Sequence, residues 1–360
     1  MKSGESFHRF FRLKRYININ YPITCRKGLL PATILAQLTN CASLSLIYSM
    51  SRFEHLFTSD NVKHLQSTGF FYCDQIFDEK EAIRIREELL SLDVDDNTST
   101  TARLPTFKEH LFQFAGKLYP KPHIYEIDLH DAALRQRSAT LEQIYRVTGP
   151  ALVSAAHIAF PDLDLDPTSA SAIKVQLNKG GSFPCHYDNP GPPNKRCLTC
   201  IVYLNAEWND SFGGQLELMP FLKKKVTVQP LMNRMVVFRS DLVLHGVAPW
   251  KVPKEDANRL CFTVWIDALT QGEYKLTRKH LQFVSWDSAA TFFSSSTLQR
   301  CISRAVYDEE YEETLIRCVG GTPAEAPMLA QHKHHVQALL SQLRPLIEEF
   351  RRRKAETVFS

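Results

Sequence analysis

Acidic residues are nearly missing from the first 49 positions of this chain, where Glu5 stands alone against seven basic residues. That stretch carries +6, which leaves −2 for the remainder of a chain whose formal total is +4. A body so close to neutral has no broad basic face, and no nucleic-acid partner is expected. A long uninterrupted apolar run is missing too. The nearest approach, GLLPATILAQLTNCASLSLIYS, is interrupted by Pro31, Gln37, Thr39 and Asn40, so no stable membrane span is expected. A disulfide framework is also lacking. The nine cysteines are odd in number and scattered from Cys25 to Cys318, a pattern of a reducing compartment rather than of a secreted scaffold. Internal repeats are absent from the sequence.

Three readings of residues 1–49 stay open. The basic, aromatic opening FHRFFRLKRY fits a mitochondrial presequence. A start at Met50 would leave a cytoplasmic or nuclear protein, and a membrane anchor fits less well. The expected organisation is a leader over 1–49 and an N-terminal support region of helices and strand over 50–170. A β core follows over 171–270, then a C-terminal helical region over 271–360. The oligomeric state is not legible.

What is present is globular, with 44% hydrophobic and 23% charged residues. STGFFYCDQIF (67–77) reads as a strand. Asp78 then opens a helix, with Glu81 completing a capping box and Ala82, Ile85, Leu89 and Leu92 at helical spacing. DDNTSTTARLP (95–105) is a polar loop, and a helix over 139–159 is expected to break at Gly149-Pro150. From 171 to about 267, short runs such as AIKVQLN, CLTCIVYLN, RMVVFRS and LCFTVWID alternate with turn residues. Many short strands suggest a β-sandwich or barrel, flanked here by helices in an α+β chain. At the C-terminal end, Val336, Leu339, Leu340, Leu343, Leu346, Ile347 and Phe350 form an apolar helical stripe that Pro345 could kink.

The chemistry gathers in FPCHYDNPGPPNKR (183–196). On a strand, residues two apart face the same side, so His186 and Asp188 present an imidazole and a carboxylate together. Two ligands hold a metal poorly. His245, in the strand-like SDLVLHGVAPW, follows at a distance long enough for strands to run away and return. Two histidines and one carboxylate are the facial triad of non-haem iron(II) oxygenases, which leaves coordination positions open. Fourteen residues on, Arg259 sits on another strand. A guanidinium inside a barrel is costly unless it meets an anion, and a dicarboxylate would supply one.

HYDNPGPPNKRCLTCIVYLN (186–205), GGQLELMPF (213–221) and RLCFTVWID (259–267) resemble the iron(II)/2-oxoglutarate dioxygenases, nearest their prolyl-hydroxylase branch. The resemblance is specific over 171–267 and weaker over 67–92. It implies a double-stranded β-helix, or jelly roll, flanked by N- and C-terminal helices. It implies iron(II) on His186, Asp188 and His245, and 2-oxoglutarate held by Arg259 and Tyr203. Thr263 would lie near both, and Trp265 would be a core aromatic. Dioxygen is the second co-substrate, ascorbate the reductant, and succinate and carbon dioxide are released as a C–H bond, of a prolyl residue in a protein or peptide, is hydroxylated. Arg196 and the 95–105 loop are the candidates for substrate contact. A small-molecule hydroxylase, or a silent jelly roll that only binds a partner, are the alternatives. Nucleic-acid demethylases usually carry a second arginine six residues after the first, where this chain has Trp265.

One departure stands out. Where the family often has a tyrosine before the HxD turn, this chain has Gln176, Leu177 and Asn178. Two further motifs have bland explanations. Cys197 and Cys200 form a CxxC with no second pair at zinc spacing, and read as buried strand cysteines. QHKHH (331–335) reads as the solvated opening of a polar helix, and FRRRK (350–354) as a solvated helix end.

Overall fold

The computed structural model describes residues 52–93, 106–251, 258–270 and 296–359, all within the compact unit Leu46–Ser360. The leader and the 95–105 loop lie outside the described residues. Helix α1 (Ser59–Thr68) starts at Thr58, whose side chain accepts from the Asn61 N–H, and stops at Gly69 with φ 88°. A Cβ at Gly69 would also meet Val243 Cγ2 at 2.7 Å, so glycine is required twice over. Strand β1 (Phe70–Asp74) follows, shorter than the 67–77 run because Ser67 and Thr68 finish α1.

Helix α2 (Glu79–Ser91) is capped by Asp78, which accepts from the Lys80 N–H. The reciprocal half of the expected capping box is not made. The Glu81 carboxylate pairs with Arg52 and accepts from Gln143 instead, because tertiary partners outcompete a local cap. Ala82, Ile85 and Leu89 are buried, as their spacing requires. Strands β2 (Lys108–Phe114) and β3 (Lys117–Asp128) form a hairpin. Helices α3 (Ala132–Arg135) and α4 (Ala139–Gln143) lead through one π turn, Ile144–Thr148, into α5 (Gly149–Ala159). The expected break at Gly149-Pro150 is absorbed by that π turn, so the chain stays helical and the wider turn accommodates Pro150, which has no N–H to donate.

The β core comprises β4 (Leu165–Asn178), β5 (Phe183–His186), β6 (Arg196–Tyr203), β7 (Leu216–Pro220), β8 (Val226–Val228), β9 (Arg234–Arg239), β10 (Val243–Val247) and β11 (Arg259–Ala268). Two antiparallel sheets result, ordered β1-β9-β6-β11-β4-β3-β2 and β5-β10-β7-β8. Phe183, Leu218 and Val243 of the small sheet pack with Phe70, Tyr203, Phe238 and Cys261 of the large one. Alternation along β11 separates two environments. Leu260, Phe262, Val264 and Ile266 pack in the cluster that holds Ile85, Leu89 and Leu152 of α2 and α5, while the odd-numbered residues take the other face. Burying Phe262 completely contributes about 2–3 kcal/mol of transfer free energy.

The outer face of the small sheet is covered by α6 (Ser296–Val306), α7 (Asp308–Val319) and α8 (Glu325–Phe359) through Cys185, Met219, Leu244, Leu298, Ile302, Tyr311 and Phe350. Helix α8 is kinked at Leu343, two residues before Pro345, where φ/ψ leave the helical region. QHKHH does not open that helix but lies inside it, and its solvated reading fails at one residue. His332 is fully buried, stacked on Tyr311 and bonded through Nε2 to Asp308 at 2.9 Å, whereas His334 and His335 are exposed. Among the described residues no helix is long and apolar enough to cross a membrane.

Candidate active site

β5 and β10 are antiparallel neighbours with His186 directly opposite His245, which sets their rings 4.3 Å apart. Each imidazole is oriented by its own strand. His186 Nδ1 lies 2.8 Å from the Pro184 carbonyl and His245 Nδ1 lies 3.1 Å from the Val243 carbonyl. A carbonyl can only accept, so Nδ1 carries the proton and Nε2 is left with its lone pair. Both Nε2 atoms turn to Asp188, whose Oδ1 is 3.4 Å from His186 and 3.6 Å from His245. One ligand atom from each of the three lies within 4.8 Å of the others. The cluster opens on one side, because the His186 side chain is 36% exposed and that of His245 only 4%.

The two Asp188 oxygens are divided. Thr199 Oγ1 donates to Oδ2 at 2.7 Å and Trp265 Nε1 donates to it at 2.9 Å, which leaves Oδ1 facing the histidines. Burial alone would raise the Asp188 carboxyl, but His245 and His186 outweigh it and hold it well below the usual carboxylate range. Burial, reinforced by His245, lowers the His186 imidazole. A metal requires an ionised carboxylate and unprotonated imidazole nitrogens, and the downward shifts of Asp188 and His186 both favour that state. Two nitrogens and one oxygen with three positions open suit iron(II).

Along β11 from Trp265, Thr263 comes next on the same face and Arg259 lies at the far end. Arg259 is buried, with no carboxylate at ion-pair distance among the described residues. Its Nε donates to the Gly214 carbonyl at 2.7 Å, and its Cζ sits 5.0 Å over the Tyr203 ring. Gly214 has φ +72°, and a Cβ there would meet Arg259 Cδ at 2.8 Å. The buried Tyr203 hydroxyl has no acceptor for its proton among the described residues, and burial keeps it protonated by raising its pKa. A buried cation and an orphaned buried donor side by side form a cradle for an anion. Thr263 is buried between this cradle and Trp265.

Of the three residues at the missing tyrosine, Leu177 is core and Asn178 holds the turn through the Gly180 N–H, the Gly181 N–H and the Gly181 carbonyl. Gln176 shares the face of Cys261 and accepts from its Sγ at 3.9 Å. Arg196 lies with its Cζ 4.6 Å over the Trp265 ring, beside the bond to Asp188. Cys197 and Cys200 are buried and unpaired.

Thr199 and the hydrogen-bonding role of Trp265 were not foreseen from the sequence. Strand parity in CLTCIVY, which puts Thr199, Ile201 and Tyr203 on one face, was the available signal.

Two antiparallel sheets packed face to face, with a His-Asp-His cluster and an anion cradle along adjacent strands, define a double-stranded β-helix oxygenase. Residues 172–267 match the sequence model of the 2OG-Fe(II) oxygenase superfamily. The chain is 38% identical over 119 residues to prolyl hydroxylase EGLN3 of Mus musculus, covering 31% of this chain and 48% of that one. It is 35% identical over 88 residues to Egl nine homolog 1 of Homo sapiens, covering 24% of this chain and 20% of that one. It thus spans about half or less of the curated relatives it matches. A prolyl 4-hydroxylase structure from Phytophthora capsici superposes with a TM-score of 0.64 at 30% identity, over 85% of this chain and 95% of that one. The chain belongs to the 2OG-Fe(II) oxygenase superfamily, in its prolyl-hydroxylase-like branch.

Proposed function

We propose that this protein is an iron(II)- and 2-oxoglutarate-dependent dioxygenase that hydroxylates a prolyl residue of a protein or peptide. The carrying observation is the pair formed by buried Arg259 and the orphaned Tyr203 hydroxyl, reached along β11 from the His186-Asp188-His245 cluster. When bound, iron(II) supplies the oxidising chemistry that couples loss of carbon dioxide from 2-oxoglutarate, giving succinate, to hydroxylation of a C–H bond by dioxygen. The chain contributes the rest. His186, Asp188 and His245 hold the metal, and Thr199 and Trp265 fix the rotamer of Asp188. Arg259 and Tyr203 take the distal carboxylate of 2-oxoglutarate, with Thr263 lining the space between. No acid–base pair is needed, so the protein orients and shields. Ascorbate serves as reductant. The prolyl substrate is the reading favoured by likeness to prolyl hydroxylases.

The test is succinate formation by the full chain with iron(II), 2-oxoglutarate and proline-containing peptides, with peptide oxidation read by mass spectrometry. His245→Ala should abolish turnover. Full peptide-dependent turnover by that variant overturns the iron assignment. Succinate formation that no peptide stimulates, but a small molecule does, overturns the substrate class alone.

A further inference from the structure

A second polar group borders the site, on the β2–β3 hairpin. Glu126 of β3 has both oxygens engaged: Oε1 accepts from Lys174 Nζ at 2.7 Å, and Oε2 lies 2.7 Å from His110 Nδ1. Glu126 pairs in register with Gln176, which pairs with Cys261, so this group lies on the sheet face that carries Arg259 and Thr263. Burial, the largest influence, lowers the His110 imidazole, so His110 is neutral and donates through Nδ1–H. Both Glu126 oxygens are thus turned to Lys174 and His110, and Glu126 acts on other cations of the site only at longer range.

Lys121, on the same strand, is that other cation. Its Nζ sits 3.8 Å from the centre of the Phe183 ring, and the Phe183 ring stacks on His186 with centres 6.3 Å apart. Phe183 thus contacts both Lys121 and the metal-site histidine His186. Among the described residues no carboxylate comes within ion-pair distance of Lys121, whose ammonium rests on the Phe183 ring, with Cys318, Glu126 and Asp188 acting on it only at longer range. Burial pushes its ammonium down to about 8, the cost of a cation with poor company. An aromatic face offsets a small part of that cost, about 0.5–2 kcal/mol. A full partner would be an anion arriving from outside.

We propose that Lys121 is a specificity-determining residue that receives an acidic side chain lying close to the oxidised residue in the peptide substrate. This rests on the reading of the protein as a peptide hydroxylase. Position argues for the substrate rather than the co-substrate, because 2-oxoglutarate has its own cation in Arg259 on β11, with Tyr203 beside it. Arg196 stacks on Trp265 and adds a second positive charge to the surroundings of Asp188. A peptide bearing an acid therefore suits this wall, and a peptide bearing a base is repelled.

The experiment uses the full chain with iron(II) and 2-oxoglutarate. Paired proline peptides carry Asp or Glu against Asn or Gln at each position within three residues of the proline. Hydroxylation rates give kcat and KM, and fluorescence anisotropy of labelled peptides gives binding. The expectation is one position where the acid is preferred by about tenfold or more, through KM, as for a charge-assisted hydrogen bond. Lys121→Met should collapse that acid-to-amide ratio to about one, and Lys121→Arg should keep it. Should Lys121→Met fail to fold, the wild-type ratio and the Lys121→Arg variant carry the test. Peptides hydroxylated or bound with no acid preference, or a preference that survives Lys121→Met, overturn the inference and leave the hydroxylase reading intact. Binding of acidic peptides without hydroxylation overturns the hydroxylase reading and leaves the Lys121 contact standing.

Discussion

Replacing Thr199 by Val tests whether the division of labour within Asp188 is real. The two side chains are nearly isosteric, so the buried site keeps its volume and loses one hydroxyl. That hydroxyl donates to Asp188 Oδ2 at 2.7 Å and lies 2.8 Å from Ser240 Oγ. Two effects oppose each other. Losing a donor makes the carboxylate slightly more basic, which favours a metal. Losing it also frees the rotamer, with Trp265 Nε1 as the remaining anchor on Oδ2. Orientation dominates, because supporting hydrogen bonds of this kind are worth about 10–100-fold in metal affinity. The buried Ser240 hydroxyl also loses its partner, at about 1–3 kcal/mol of stability. Iron(II) affinity of Thr199→Val, titrated anaerobically and read again from the iron dependence of succinate formation, should fall about 10–100-fold. The melting temperature should fall by a few degrees, as that stability loss requires. Affinity within about twofold of wild type in a folded variant would refute the reasoning. Trp265→Phe should act in the same direction, and the double variant should exceed either single change.

Arg259→Met should raise the KM for 2-oxoglutarate by about two orders of magnitude, as expected when a buried bidentate carboxylate partner is removed, while iron affinity measured without co-substrate stays near wild type; a KM unchanged by the substitution would remove the cradle assignment. Glu126 should mark the acid limit of stability. Burial acts to raise its carboxyl, but the His110 hydrogen bond and Lys174 outweigh it and hold the group at about 2. A carboxyl depressed on folding stabilises above its ordinary range and loses that contribution as the pH falls from about 4.5 through about 2. The contribution is about 3 kcal/mol. Denaturant unfolding as a function of pH should therefore be flatter below pH 5 in Glu126→Gln than in wild type, and parallel curves would contradict the assignment.

The legible part of this protein rests on parity. HxD on a strand puts His186 and Asp188 side by side whatever the fold, and the odd-numbered face of RLCFTVWID joins Arg259, Thr263 and Trp265. Helical spacing likewise placed Ala82, Ile85 and Leu89 inside. Where a local rule competed with a distant partner, it failed. Glu81 left its capping box for Arg52, and His332 left the solvated face for Asp308 and Tyr311.

The sequence by itself determined what covalent geometry dictates within a few residues: which side chains share a face, where turns fall, and that the fold is built of many short strands. It also named the donor types of the site. Only the tertiary structure decided which strands are neighbours. The order β9-β6-β11 brings Thr199 opposite Trp265 and both onto Asp188, and the pairing of β5 with β10 sets His245 across from His186. The hairpin at the end of the same sheet carries Lys121 to Phe183. Strand order is settled by packing two sheets and three sets of helices around one interior, and contacts between residues so far apart in the chain leave no periodic trace in it.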